Sequence, residues 1–376
     1  MAKAAPGAPI PVLQLRGTHE ELGRAMGQFR AAQIKRSATS VEAALWEADV
    51  SRAALTEQIA PYVEATERIF PHYLRELRAM AEGAEVPFDI LFRLNCYESR
   101  PPGTPPGSLA GLSPVFSTPV PQRRVEVKDP GVLAGTPAAD GCTSIVSRGA
   151  GTVIVGHTED STPEAVDGIY LADATVEENG ETVSRFFALN YANTLPGCAA
   201  AMNRHGLLVL IDALPDPDRH EGASRHVVSR ALLDTESIEE AIGMLRETER
   251  GGGWNYLLVQ GDRFANVETT ATRVVVTSAD EDGAYAHANH YLDDDIASDA
   301  EEPRANSVAR LARARQLAAA GMTLAQMKQT LSDRDGFPDS ICRDRTIAAL
   351  VADAAARTVE VCWGEPENAT WSAHGF

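Results

Sequence analysis

The chain is short of positive charge: 34 lysines and arginines stand against 53 aspartates and glutamates, for a net charge of −19 over 376 residues. A surface of that sign repels phosphate backbones and anionic bilayers and favours neutral or cationic small molecules, so neither nucleic acid nor membrane is expected as a partner. Cysteine is also scarce. The five, Cys96, Cys142, Cys198, Cys342 and Cys362, are odd in number and widely scattered. They lack Cys-x-x-Cys or Cys/His spacing, which argues against zinc and for a reducing compartment. No run approaches the roughly 18 apolar residues of a membrane span, and residues 1–6 lack the apolar core of a secretory signal. The expected location is the cytoplasm. Gly251-Gly252-Gly253 leads into Trp254-Asn255-Tyr256 rather than a Lys-Ser/Thr opening a helix, so it reads as a turn, not a phosphate cradle. No cofactor is expected, and no internal repeat is evident.

What is present is enough apolar residue, 44%, to build a substantial core in one large or two ordinary domains. Residues 11–16 alternate like an edge strand. Thr18 and Glu21 form a capping box, after which Leu22, Met26 and Phe29 mark one buried helix face. A helix is predicted over 64–82 with Gly83 as its left-handed cap, and another from Pro87 through Leu94. After residue 142 the chain turns β-rich: strands are predicted over 144–147, 153–158, 169–176 and 182–190, the last two joined at Asn179-Gly180, a strong hairpin signal. A second hairpin is predicted over 199–202 and 207–214. Helices follow over 224–233 and 238–246, then strands over 254–260, 265–270 and 273–277, helices over 303–319 and 324–331, and a terminal hairpin over 346–351 and 358–363. Hairpin-linked strands with paired helices between them argue for an α+β layered protein rather than a parallel βαβ one.

Between the two halves lies a change of character. Seven prolines fall within 101–121, a density incompatible with a regular helix or central strand. The loop over 101–139 reads as an ordinary surface linker, a lid or a segment that is trimmed. It ends at Asp140-Gly141-Cys142-Thr143-Ser144, where a Gly-Cys bond enters a β-like run. Glycine leaves the carbonyl unhindered and permits the backbone that brings the following thiol onto it. An N-to-S acyl shift and hydrolysis would then make Cys142 a new N-terminus. Its amine, titrating near about 7.7–8.0 against about 8.5 for a free thiol, would let one residue supply nucleophile and base. Alone, a cysteine entering a strand is more often a small buried hydrophobe.

Asp140-Gly141-Cys142-Thr143-Ser144, Gly156-His157-Thr158-Glu159-Asp160, His287-Ala288-Asn289-His290 and Phe337-Pro338-Asp339-Ser340-Ile341-Cys342-Arg343 occur in that order. Together they resemble the isopenicillin N acyltransferase family of self-processing N-terminal-nucleophile cysteine hydrolases, over about residues 12–364. The resemblance implies an α+β, four-layer αββα sandwich with an added helical leader. It implies cleavage between Gly141 and Cys142, leaving 1–141 as a small (alpha) subunit and 142–376 as a catalytic large (beta) subunit. Cys142 would be the nucleophile and Asn289 the oxyanion donor. Asp160 would pair bidentately with Arg343 to frame the site, and Ser340 would lie near the substrate. The leader's helices carry apolar faces that need a partner, so it is expected to stay bound as a heterodimer. His287 and His290 read as strand-to-loop without a third ligand, so no metal is expected; Cys342 and the remaining cysteines read as packing residues.

The implied activity is that of an amidohydrolase forming a thioester on Cys142, or of an acyltransferase passing the acyl group to an amine. A non-catalytic small-molecule-binding protein of the same fold is the alternative from another class. Asp212, following the predicted 207–211 strand where penicillin-acylating members carry a neutral asparagine, is expected to meet an ammonium group on a substrate amide. The other possibility is that it caps the loop into Pro215.

Overall fold

The computed structural model describes residues 9–47, 49–96, 98, 141–149, 151–218, 220–277 and 283–375. The 101–139 loop and Asp140 lie outside them. The leader contributes strand β1 (Val12–Gly17) and helices α1 (His19–Phe29), α2 (Ala31–Glu47), α3 (Arg52–Ile69), α4 (Pro71–Ala84) and α5 (Phe88–Leu94). From the Gly-Cys junction run β2 (Gly141–Gly149), β3 (Thr152–Asp160), β4 (Ile169–Glu178), β5 (Glu181–Tyr191), β6 (Ala200–Asn203) and β7 (Leu208–Asp212). Helices α6 (Arg225–Leu232) and α7 (Ile238–Glu247) precede β8 (Asn255–Gln260), β9 (Arg263–Thr269), β10 (Val274–Thr277) and β11 (Ala284–His287). The chain finishes with α8 (Asp294–Ala297), α9 (Ala305–Leu317), α10 (Leu324–Leu331), β12 (Thr346–Asp353), β13 (Thr358–Trp363) and β14 (Trp371–Gly375).

Two sheets result among the described residues. One has eight strands in the order β1-β4-β5-β6-β7-β8-β9-β10, the other six in the order β11-β2-β3-β12-β13-β14. Because side chains alternate across a strand, each sheet presents two apolar faces. Val146, Val155, Leu350 and Val361 from the smaller sheet meet Leu171, Leu189, Leu210 and Leu257 from the larger one, forming the inter-sheet core. On the far side of the larger sheet, Tyr170, Ala172 and Phe186 pack on Leu22 and Met26 of α1 and on Val228, Leu232 and Leu245 of α6 and α7. Behind the smaller sheet, Ile145, Ile154 and Val351 pack on Leu311 of α9 and on Met327 and Leu331 of α10. The layers therefore run helix, sheet, sheet, helix, and the leader adds its own helical cluster against Leu195, Val227 and Ala231.

The leader is built into the larger sheet. β1 lies parallel to β4, from Val12 opposite Leu171 to Gly17 opposite Val176. Thr18 caps α1 through the predicted box with Glu21. Two buried ion clusters then join the helices before the 101–139 loop to the segment that begins at Gly141. Arg230 of α6 lies 3.6 Å from Glu76 of α4 and 3.2 Å from Asp234, its guanidinium stacked over Tyr73 and Phe186. Glu98 accepts hydrogen bonds from the Arg225 backbone and side chain at 2.9 and 2.8 Å. Removing one member of such a pair strands the other charge in the interior.

The elements differ from the sequence expectation in several places. α2, most of α3, α8, β11 and β14 have no counterpart in it. The helix expected over 64–82 is two helices, because Phe70 precedes Pro71 and leaves the helical region (φ −134°, ψ 59°), while Pro71 opens α4. Gly83 is not the cap; Glu85 takes the left-handed conformation at φ 55°. Gly83 is glycine for another reason: a Cβ there would lie 2.2 Å from the Arg24 carbonyl oxygen, and one on Gly27 would lie 2.2 Å from that of Met80. These glycines let α1 and α4 touch backbone to backbone. Gly27→Ala gains about 1 kcal/mol of helix propensity but forces the helices apart, at about 1–3 kcal/mol. The expected net result is a lower melting temperature; an unchanged or higher one would show that the crossing adapts.

Candidate active site

The inter-sheet core changes from apolar to polar at one end. On β2, Cys142 and Ser144 share a face with Val146; on β3, Glu159 and His157 stand directly opposite them, in line with Val155. Asp212 continues the inward row of Leu208 and Leu210, while Asn255, Glu268 and His287 extend β8, β9 and β11 in the same way. These side chains form one chain of hydrogen bonds and ion contacts. Cys142 Sγ lies 3.8 Å from Glu159 Oε2, which also accepts from the Tyr191 hydroxyl at 2.6 Å. Glu159 Oε1 accepts from His157 Nε2 at 2.8 Å, and His157 Nδ1 lies 2.9 Å from Ser144 Oγ. Ser144 donates to Asp212 Oδ1 at 3.0 Å, and Asp212 Oδ2 lies 3.3 Å from His287 Nδ1. His287 Nε2 ends the chain on Glu268 Oε1 at 2.8 Å.

The donors fix the protonation. Ser144 has one hydroxyl proton, spent on Asp212, so His157 Nδ1 must donate to Ser144 while Nε2 donates to Glu159. His157 is thus an imidazolium. Burial opposes that charge, but the Glu159 bond and the nearby Asp212 and Asp160 outweigh it and raise its pKa. His287 sits between two carboxylates; against the cost of burial, Asp212 and Glu268 raise its pKa to about 9. Burial, and then the charges of Glu159, Asp212 and Asp160, push the Cys142 thiol well above its usual range. Its thiolate is not preformed. Cys142 Sγ, a His157 nitrogen and a Glu159 oxygen lie within 4.8 Å of one another, but a doubly protonated imidazole offers a cation no lone pair. The trio reads as a hydrogen-bonded chain rather than a metal site.

On the opposite face of β2, Arg310 of α9 is buried. It donates to the Cys142 carbonyl, to Thr143 Oγ1 at 2.8 Å and to Asn289 Oδ1 at 2.6 Å. The same Asn289 oxygen accepts from the Cys142 backbone N–H at 2.9 Å, and its Nδ2 donates to the Ala213 carbonyl at 3.1 Å. Gly141 is hemmed in: a Cβ there would stand 3.1 Å from Arg310 Nη2 and 3.3 Å from both Asn289 Oδ1 and Asp160 Oδ2.

Cys142, Gly141, Asp160 and Asn289 therefore converge, with Arg343 at their edge. Asp160 and Arg343 do not form the bidentate pair expected: a single 3.4 Å contact joins them, and the shorter partner of Asp160 is Thr346 Oγ1 at 2.7 Å. Asp212 is wholly buried with Ser144, Asn255 and His287 on its two oxygens. Its carboxylate belongs to the interior chain and is not open to a ligand ammonium. Ser340, also buried, turns its hydroxyl to the Cys342 carbonyl at 2.5 Å, closing its own loop. The sequence reading missed Glu159, His157, Tyr191 and Arg310 as site residues. A signal for the first two existed in the alternation of His157 and Glu159 on the face that carries Val155.

A family model described as acyl-coenzyme A:6-aminopenicillanic acid acyl-transferase matches residues 146–368. The chain belongs to that family. The match begins just after Cys142 and takes in Glu159, Asp160, Asn289 and Arg343. A beta-alanyl-dopamine/carcinine hydrolase of Drosophila melanogaster is 27% identical over 255 residues, 64% of this chain and 58% of the relative. The aligned region thus spans a little over half the length of that relative. An N-acylethanolamine-hydrolyzing acid amidase ortholog of Caenorhabditis elegans superposes with a TM-score of 0.41 at 16% identity, over 57% of this chain and 93% of that one. A mutant conjugated bile acid hydrolase of Clostridium perfringens gives 0.38 at 10% identity, over 62% and 92%.

The charge on His287 makes a stability prediction. Its folded pKa, about 9, lies above the unfolded value of 6.5, so its contribution is complete below about pH 6.5 and lost as pH rises through about 9, on the order of 3 kcal/mol in all. The stability gap between wild type and His287→Gln should therefore be widest near about pH 6 and narrow by about pH 10. Urea midpoints at the two values check this; a constant gap would mean that the imidazolium is not what holds the chain together.

Proposed function

We propose that this protein is a self-activating cysteine amidohydrolase that cuts its own Gly141–Cys142 bond and then forms a thioester on Cys142 with the acyl half of a small-molecule amide. The observation that carries the proposal is the position of Cys142. It follows a glycine where a side chain would crowd Arg310, Asn289 and Asp160, its nitrogen is held by Asn289, and its thiol faces a carboxylate. After cleavage the Cys142 amine serves as base for its own thiol, and the Asn289 Nδ2 group is the donor assigned to the tetrahedral oxyanion. Asp160, Thr346 and Arg343 hold the strand ends around it.

Acyl transfer to an amine is the second outcome of the same thioester, favoured by the family's description. For the substrate, the relative acting as a beta-alanyl-dopamine/carcinine hydrolase makes small amino-acyl amides the first panel, with phenylacetyl and penicillin-type amides as contrast. The net charge of −19 favours cationic amides at long range. The leader, residues 1–141, stays on the large segment as a small subunit, supported by β1 in the larger sheet and by the Arg230 and Arg225 ion clusters. All five cysteines are free thiols, in keeping with a cytoplasmic setting. Among the described residues no helix is long and apolar enough to cross a membrane.

Wild-type protein should run on a denaturing gel as two bands of roughly 15 and 25 kDa, by simple proportion of length, and Cys142→Ala as one uncut chain of 40.2 kDa without turnover. Asn289→Ala, once folded and cut, should lose about 10²–10³ in kcat. Cleavage of Cys142→Ala at this bond would overturn self-processing; unchanged kcat in Asn289→Ala would remove it from the oxyanion site.

A further inference from the structure

A cysteine that becomes its own base only after cleavage leaves the first cut without one. In the uncut chain the Cys142 nitrogen is an amide and accepts no proton, and the thiol is held protonated by its surroundings. Some other group must take the thiol proton while sulfur attacks the Gly141 carbonyl carbon.

We propose that Glu159 is the catalytic base and acid of this self-cleavage step, an inference that rests on self-processing at Gly141–Cys142. Glu159 stands opposite Cys142 across the β2–β3 pair, with Oε2 3.8 Å from Sγ. Its carboxylate is held from both ends, by Tyr191 on Oε2 at 2.6 Å and His157 on Oε1 at 2.8 Å. The neighbouring groups are otherwise engaged. His157 already carries both ring protons. Asp212 is reached only through Ser144. Asp160 points to the other face of β3, tied to Thr346 and Arg343.

The step balances within the protein. The thiol proton passes to Glu159 Oε2 as the S–C bond forms to Gly141. The same proton passes from Glu159 to the Cys142 nitrogen as the C–N bond breaks, leaving a Gly141 thioester and a free amine. Water then hydrolyses the thioester to the Gly141 carboxylate and the Cys142 thiol.

The test uses the full chain and follows cutting by denaturing gel and intact mass. Glu159→Gln keeps the shape and the Tyr191 contact but accepts no proton, and should slow cutting at least about 100-fold, the lower end of general acid–base contributions. The kcat per cut molecule, counted by alkylating the Cys142 thiol, should fall by a smaller factor because the free amine is then present. Should Glu159→Gln fail to fold, as judged by a thermal melt, Glu159→Asp is measured instead and should cut more slowly than wild type because the shortened carboxylate is withdrawn from Sγ. Cutting at the wild-type rate in folded Glu159→Gln or Glu159→Asp would overturn the assignment. Cys142→Ala separates the two proposals: if it is still cut, self-processing itself is wrong, whereas an uncut Cys142→Ala beside a normally cut Glu159→Gln removes only Glu159.

Discussion

Charge buried between two sheets is the constraint on which this structure turns. Glu159, His157, Asp212, His287 and Glu268 lie wholly or almost wholly out of contact with water, where an unpartnered ion costs several kcal/mol. Each is answered by the next, so the chain is tolerable only if every strand that supplies a member keeps its register. A one-residue slip of β3 against β2 would carry Glu159 and His157 to the opposite face of the sheet, leaving Cys142 without Glu159 and Ser144 without His157. The apolar residues further along the same rows, Val146, Val155, Leu210 and Leu257, hold that register by filling the inter-sheet core. Packing and chemistry thus occupy successive positions of the same strands.

The leader belongs to the same construction. Its β1 strand completes the edge of the larger sheet, and its α4 helix brings Glu76 to Arg230, an arginine with no exposure of its own. Arg225 plays a parallel part with Glu98. The effect of both arginines is to fix α6 against the leader, and α6 in turn packs on the outer face of the larger sheet whose inner face supplies Asp212 and Asn255.

Much of this is legible in the sequence, and what is not has a physical reason. The Asn179-Gly180 turn, the Thr18–Glu21 cap and the strand pair beginning at Gly141 carry local signals, and each appears where its residues place it. The four layers come from family resemblance and are visible in the packing of three separate apolar clusters. Phe70-Pro71 carries a local signal too, a proline inside an expected helix, but the apolar periodicity on either side masks it. Arg310 has none. It sits on an ordinary amphipathic helix, and its importance arises only when α9 lies across β2. Asp212 stands out by its residue type but is expected to face outward to a ligand, because a single strand does not reveal that the row ahead of it, Leu208 and Leu210, faces a second sheet. The convergence of Cys142, Asn289 and Asp160 is anticipated through motif order rather than through any property of the residues themselves.

The parallel strand β1 has a consequence for how the molecule can be made and lost. In the uncut chain, β1 reaches β4 within one polypeptide, and the search for its place in the sheet is intramolecular. Were Gly141–Cys142 broken as proposed, the same strand would belong to a separate polypeptide, and its return after unfolding would become a second-order event that dilution slows. The folded heterodimer would then carry a memory of its origin. Heated and cooled at low concentration, mature protein would not retrace the path by which its precursor folded, and its lifetime would be governed by how seldom β1 and the helices behind it let go.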